Sequence, residues 1–253
     1  MLTVSPESPL GVADATFTAS FASVPENLAT PYPEPPDPPF QGCRCSGLTV
    51  LDSPLCKAAG ITTLSAGTLT LDGVPGSPIT LRPSASYADT GYSATLPRGS
   101  LDGGILSVGA EGGIDVGPFQ TSVTVPPQVQ VTTSLSPGTV IDYHRPFSVT
   151  WSGGSPDTLV TMRLIAYQDQ DGIFGRACTC PVLATEGTSK VDVFNPSGNE
   201  LILSIGNRSE NVEVVLTVTP LTSKLTRFAA PGLTRDGMHQ WSYEYHFKGL
   251  KIR

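Results

Sequence analysis

The sequence predicts an all-β chain made of two tandem antiparallel β-sandwich domains, the second immunoglobulin-like. Three observations carry that prediction. Apolar and polar residues alternate with period two in one segment after another, which is the spacing of half-buried strands. Turn-forming residues, 26 Gly and 24 Pro among 253 positions, separate these segments roughly every 8–12 residues, as in sandwiches and barrels. Charged residues are only 15% of the chain, well below the roughly 25% of an ordinary soluble protein. A helical bundle or coiled coil does not have this composition, and the 39% apolar fraction is enough for a core.

The first strand is expected at Ala15–Phe21, with Phe17, Ala19 and Phe21 on one face and Thr16, Thr18 and Ser20 on the other. The run Thr30–Phe40 follows, with six prolines in eleven residues. Proline lacks an N–H for a ladder, so polyproline II is its natural state. Together with the cysteines up to Cys56, residues 25–58 read as one long, partly stapled loop. Further strands are expected at Ile61–Leu71, Ile79–Leu81, Tyr92–Leu96, Ile105–Val108 and Phe119–Val125.

Pro126-Pro127 ends this series, and the charge balance changes there. Residues 1–126 hold four basic and eleven acidic side chains, whereas residues 127–253 hold eleven of each. The predicted domains are therefore 1–126 and 127–253. In the second, strands are expected at Val129–Thr133, Phe147–Trp151, Thr158–Tyr167, Val191–Phe194, Leu201–Ile205, Val212–Thr219 and Gln240–Lys248. Seven strands in such a length fit an immunoglobulin-like sandwich with Trp151 as its core tryptophan, although the Cys…Trp…Cys frame of antibody domains is missing.

The net charge of −7 and the lack of any Lys/Arg run leave nucleic acid without an electrostatic footprint. No apolar run is long enough for a transmembrane helix. The N-terminal MLTVSPESPLG has no signal-peptide pattern. Two readings follow, a cytosolic chain or a mature form whose leader is absent from this chain; few lysines, abundant Ser, Thr and Gly, and clustered cysteines favour the second, an extracellular or cell-surface protein.

Five cysteines fall in two clusters, Cys43, Cys45 and Cys56, then Cys178 and Cys180. An odd number leaves at least one thiol free or paired between chains. Residues i and i+2 of a strand point the same way, so each Cys-x-Cys pair presents two sulfurs together. Zinc or Cu(I) takes such ligands, but the spacing is not that of a zinc ribbon and no histidine is near. Loop-stapling disulfides are the plainer reading, each contributing about 3 kcal/mol for a short loop.

Other chemistry is sparse. His144, His239 and His246 lie in no nucleophile-elbow context and read as ordinary surface residues. Asp169 and Asp171 in the DQDG run resemble the start of a calcium loop. That loop lacks the Glu expected six positions after Gly172, where Cys178 stands, so a hydrophilic hairpin turn explains it as well. Asn207-Arg208-Ser209 fits the glycosylation acceptor pattern, which is common by chance.

Several stretches together resemble secreted two-domain β-sandwich proteins of soil bacteria. They are RPFSVTWSGGSPDTLVTMRL, CTCPV, the APGL of Ala230–Leu233 and the terminal YEYHFKGLKIR, with TLTLDGVPGSP and GGIDVGPFQTSVTVP upstream. The resemblance covers most of residues 60–253. It implies an exported pair of sandwiches, and it transfers no catalytic residue because that family has no established activity.

The expectation drawn from all this is a non-catalytic, cofactor-free extracellular structural or adhesive protein that self-associates into a surface layer or fibre. Phe17 and Phe21 lie on a strand suited to exchange between copies, by strand addition. Trp241, Tyr243, Tyr245 and Phe247 share one face of the last strand, as core or as interface. The rival is a binding module for a carbohydrate or other small ligand, and it predicts an exposed aromatic platform of Trp241, Tyr243 and Tyr245. A metal-binding protein is a third possibility, resting on the cysteines or DQDG.

Overall fold

The computed structural model describes residues 2–7, 14–23, 44–47, 62–83, 91–96, 100–142, 144–167, 175–191 and 209–253. The described residues are all-β, with two single-turn 3₁₀ segments, Ala184–Glu186 and Thr222–Lys224, as the helical exceptions.

In chain order the first half holds β1 (Leu2–Glu7), β2 (Asp14–Ser20), β3 (Ala22–Ser23), β4 (Arg44–Gly47), β5 (Thr62–Thr63), β6 (Leu69–Asp72), β7 (Ile79–Leu81), β8 (Gly91–Leu96), β9 (Gly104–Ala110) and β10 (Phe119–Val125). The second half holds β11 (Gln130–Val131), β12 (Val140–Ile141), β13 (Phe147–Ser152), β14 (Thr158–Tyr167), β15 (Gly175–Leu183), β16 (Thr188–Val191), β17 (Ser209–Pro220), β18 (Thr226–Phe228), β19 (Gly237–His239) and β20 (Tyr243–Ile252).

Four sheets do most of the layering. A five-stranded sheet, β18-β19-β1-β2-β8, faces a four-stranded one, β10-β9-β6-β7. Aromatic rings fill the gap between them: Phe21 lies 5.9 Å from Tyr92 edge-on and 5.7 Å from Phe119, and Phe119 stacks on Phe228 at 4.8 Å. Edge-to-face and offset packing suits the quadrupoles of these rings. A six-stranded sheet, β12-β20-β17-β14-β15-β4, accompanies the three-stranded β11-β13-β16. Val149 and Trp151 of β13 share the core with Val160, Met162 and Leu164 of β14.

Pairing is antiparallel except where β1 meets β19 and β12 meets β20. Hydrogen-bonded pairing crosses Pro126-Pro127 in both directions. β18 and β19, from residues 226–239, join the sheet of β1, β2 and β8, while β4, from residues 44–47, extends the sheet of β14, β15, β17 and β20. One continuous buried cluster contains residues from Phe17 to Ile252.

The predicted strand Ile61–Leu71 is broken into β5 and β6. The intervening Ser65–Gly67 is a docking point instead of a ladder. The Ser65 carbonyl accepts from the Asp115 and Val116 N–H groups, and the Ser65 N–H donates to the Asp115 carboxylate at 2.7 Å. The Tyr92 hydroxyl accepts from the Ala66 N–H at 3.2 Å and donates to the Gly67 carbonyl at 2.8 Å. Gly67 adopts φ +75°, and a Cβ there would lie 2.5 Å from the Gly112 carbonyl oxygen, so alternation could not continue through it. The expected strand at Leu201–Ile205, and most of Val191–Phe194, lie outside the described residues.

Candidate functional site

The last strand organises the molecule's most distinctive geometry. β20 pairs with β17 so that Tyr243 opposes Val218 and Tyr245 opposes Leu216, with Phe247 opposite Val214. Those partners are fully buried, so the aromatic face of β20 is the inner face. Trp241 and Tyr243 are 2% and 1% exposed and stack at 5.8 Å, while Tyr245 meets Tyr243 edge-on. The exposed aromatic platform expected from Trp241, Tyr243 and Tyr245 is therefore corrected. Tertiary packing turns this face onto the core because the opposite face carries the charges.

Both tyrosine hydroxyls reach the same residue. The Val129 N–H donates to Tyr243 Oη at 2.9 Å, and Tyr245 O–H donates to the Val129 carbonyl at 2.6 Å. Burial pushes the Tyr243 phenol far above its ordinary range, and burial with the nearby Asp102 charge raises Tyr245 to about 12. Both stay neutral hydroxyls, so Tyr245 keeps the proton that it donates to the Val129 carbonyl.

This clamp holds residues 128–131 beside β20 and shapes a shallow groove of about 350 Å³. Its lining is Gln128, Gln130, Val131, Thr133, Ser134 and Leu135 on one side, Tyr245 and Phe247 on the other. Thr133 Oγ1 is tied to Thr150, accepting from its N–H at 2.7 Å. Gln130 and Ser134 are exposed and Gln128 is half-buried, so their polar groups face solvent.

The outer face of the same sheet carries a charge network. His246 Nδ1 lies 2.7 Å from Glu213 Oε1, and Nε2 lies 3.2 Å from Glu244 Oε2. Thr217 Oγ1 donates to Glu244 Oε1 at 2.8 Å, Arg163 approaches the same oxygen at 3.5 Å, and Lys248 lies 3.8 Å from Glu213. In the register Val215 lies between Arg163 and His246 and is 1% exposed. The network thus flanks an apolar residue on an otherwise polar face. His246 is accordingly a bonded member of this network rather than a free surface side chain. The sequence signal was the alternation of Glu244, His246 and Lys248, but their partners Glu213, Arg163 and Thr217 come from strands remote in the chain.

His239 is the second departure from the expected surface histidines. It is fully buried, with neither ring nitrogen hydrogen-bonded, and burial lowers it to about 4. It opposes Thr226 on β18 and Leu2 on β1. His144, in contrast, follows Asp142 in an exposed turn.

The remaining candidate residues are distributed as follows. Phe17 and Phe21 are 0% and 4% exposed, and β2 lies between β1 and β8 with both ladder edges occupied. Cys180 is disulfide-bonded and buried, and Cys45 opposes Cys178 where β4 pairs with β15. Cys43, Cys56, Asp169 and Asp171 lie outside the described residues. Among the described residues no group of three or more His, Cys, Asp or Glu is placed to hold a metal ion, and no helix is long and apolar enough to cross a membrane.

No family model matches the chain, and no curated protein does. One solved structure, of DIP-gamma IG1+IG2, is similar over 96% of this chain and 93% of its own, at 8% identity and a TM-score of 0.17. A likeness at that level carries no argument about function.

Proposed function

We propose that this chain is a non-catalytic structural or adhesive protein of the extracellular space, able to associate with further copies of itself. The observation that supports the reading is how its chemistry-bearing side chains are used. The tyrosine hydroxyls of Tyr92, Tyr243 and Tyr245 all bind backbone groups and lock neighbouring segments in place. The ring nitrogens of the fully buried His239 make no hydrogen bond. Polar groups arranged this way hold a rigid body together and present surfaces, and a rigid scaffold with ligand-facing loops is how many sandwiches work.

Self-association draws on the five cysteines. Pairing within one chain uses an even number, so at least one sulfur stays free or pairs with a neighbour's, and this reading takes the second course. Exchange of β2 between copies receives less support, because that strand lies in the middle of a sheet with Phe17 fully buried.

Native mass spectrometry of the oxidised protein, repeated after reduction, is the test. A ladder of multimers that reduction collapses is the expected result. A strict monomer at high concentration under oxidising conditions overturns the assembly half of the proposal. Turnover of an ester, peptide or glycoside by the purified protein overturns the non-catalytic half.

A further inference from the structure

We propose that two cross-strand disulfides, Cys45–Cys178 and Cys43–Cys180, fasten β4 to β15, and that Cys56 is the sulfur left over. The two bonds stand independently of the self-association reading; only the use of Cys56 between copies rests on it.

The strand register carries the first bond. β4 and β15 pair antiparallel with Cys45 directly opposite Cys178. Opposed residues of such a pair have Cα atoms about 4.5–5.5 Å apart, within the roughly 4.4–6.8 Å that a disulfide spans.

The second bond follows by exclusion. Cys180 is buried and disulfide-bonded. Its partner is not Cys178, which lies two positions back on the same strand. Two steps of a strand put side chains about 6.6 Å apart, whereas bonded cysteines hold their Cβ atoms about 3.5–4.5 Å apart. Cys45 is diagonal to Cys180 in the register, at about 7–8 Å. Of the two cysteines that remain, Cys43 adjoins Arg44, and Arg44 opposes Thr179, the neighbour of Cys180. A single peptide separates Cα atoms by about 3.8 Å, and one more antiparallel step sets position 43 against 180. Cys56 lies past the end of β4 at Gly47 and has no such register.

The bonds explain how β4 holds its place. It has four residues, Arg44-Cys45-Ser46-Gly47, and pairs with β15 alone. So short a strand, without a large apolar side chain, is held weakly by ladder hydrogen bonds. Two covalent links anchor it and tie the first half of the chain to the second across Pro126-Pro127. They also keep the edge of β15 covered, and an open edge is a template for pairing with another chain. Each bond forms when two thiols give up two protons and two electrons to a small external disulfide such as oxidised glutathione, which leaves as two thiols. The same four sulfurs are the number a structural zinc takes, but Cys180 is already joined to another sulfur.

The test is a peptide map of the full chain, denatured and alkylated with iodoacetamide without reduction, then cut with trypsin. Cleavage after Arg44, Lys57, Arg176 and Lys190 separates Cys43 from Cys45 and isolates residues 45–57 and 177–190. The expected result is one cross-linked cluster of peptides 1–44, 45–57 and 177–190. Cys56 carries the alkyl group, and fragmentation between Cys178 and Cys180 assigns the first to Cys45 and the second to Cys43. In covalent multimers a bond between two copies of Cys56 replaces that alkyl group. Alkylation of Cys43 or Cys45, or the crossed connectivity, overturns the proposal. So does one zinc per chain with all five cysteines alkylated. Alkylated Cys56 in a strict monomer leaves both bonds standing and removes only the self-association reading, so the two failures are separately visible.

Discussion

Tyr245 donates its hydroxyl proton to the Val129 carbonyl across 116 positions of sequence, at 2.6 Å. With Tyr243 accepting from the Val129 N–H, one valine has its two backbone polar groups satisfied by two side chains of the last strand. Val129 is itself fully buried, where unpaired backbone groups are costly. The segment just after Pro126-Pro127 is thereby fastened to β20 instead of running free between two halves.

Tyr245→Phe removes the donor and leaves a buried carbonyl unpaired. Urea unfolding should show a loss of about 1–3 kcal/mol. Because burial raises both phenols in the folded state, the unfolded chain ionises first as pH rises. The tyrosine contribution is fully present below pH 10 and is lost as pH climbs toward about 12. Stability of Tyr245→Phe should therefore fall less steeply over that alkaline window.

His239 predicts an acid-side dependence. Its pKa is lowered from 6.5 to about 4 by burial, so between those values the unfolded chain binds the extra proton. Stability is present above pH 6.5 and is lost as pH falls toward 4, by up to about 3 kcal/mol. His239→Leu should flatten this slope, and should cost little or nothing at pH 7 because the ring nitrogens make no hydrogen bond to lose. Thermal unfolding of both proteins at a series of pH values checks it.

Two ion pairs should behave differently. Lys224 and Asp157 are about half exposed, and Lys224→Ala should change stability by less than about 0.5 kcal/mol. Glu244 is shared by Thr217, His246 and Arg163 and is largely covered. Glu244→Ala should cost about 1–2 kcal/mol, with part of the effect surviving in high salt. Denaturant titrations at low and high salt distinguish the two.

Gly232 adopts φ +88°, and a Cβ there would lie 1.9 Å from the Asp115 carbonyl oxygen. The neighbouring Pro231 carbonyl accepts from the Gly117 N–H at 2.7 Å. This turn is where residues 230–233 dock on the 115–117 loop. Gly232→Ala combines backbone strain with a backbone clash, and should destabilise the protein by about 2 kcal/mol or more. A lowered melting temperature with unchanged far-ultraviolet circular dichroism at 20 °C is the expected outcome.

Much of the architecture was legible in the chain. Period-two alternation located β7, β10, β13, β14 and β20 to within a few residues, and it grouped Phe17 with Phe21 and Trp241 with Tyr243, Tyr245 and Phe247 on common faces. Those signals are local, since alternation reports which residues share a side of a strand. What it does not report is what that side meets. Whether four aromatics form a core or an open platform depends on another strand lying against them, and Val214, Leu216 and Val218 of β17 decided that they are inside.

The same limit explains the site. Gln128 and Gln130 are unremarkable polar residues in the sequence, and they become a groove only because two distant tyrosines fix Val129. His239 sits in a short, unpatterned stretch and is buried only because β18 and β19 fold back onto β1. The Glu213–His246–Glu244 network needs two strands in one register. Sequence determined strand identity and facing, because these follow from backbone geometry within a few residues. Tertiary structure decided which faces close on each other, which strands cross Pro126-Pro127 and which histidine loses its water, because each depends on contacts between strands remote in the chain, from about thirty residues apart for β17 and β20 to more than two hundred for β1 and β19.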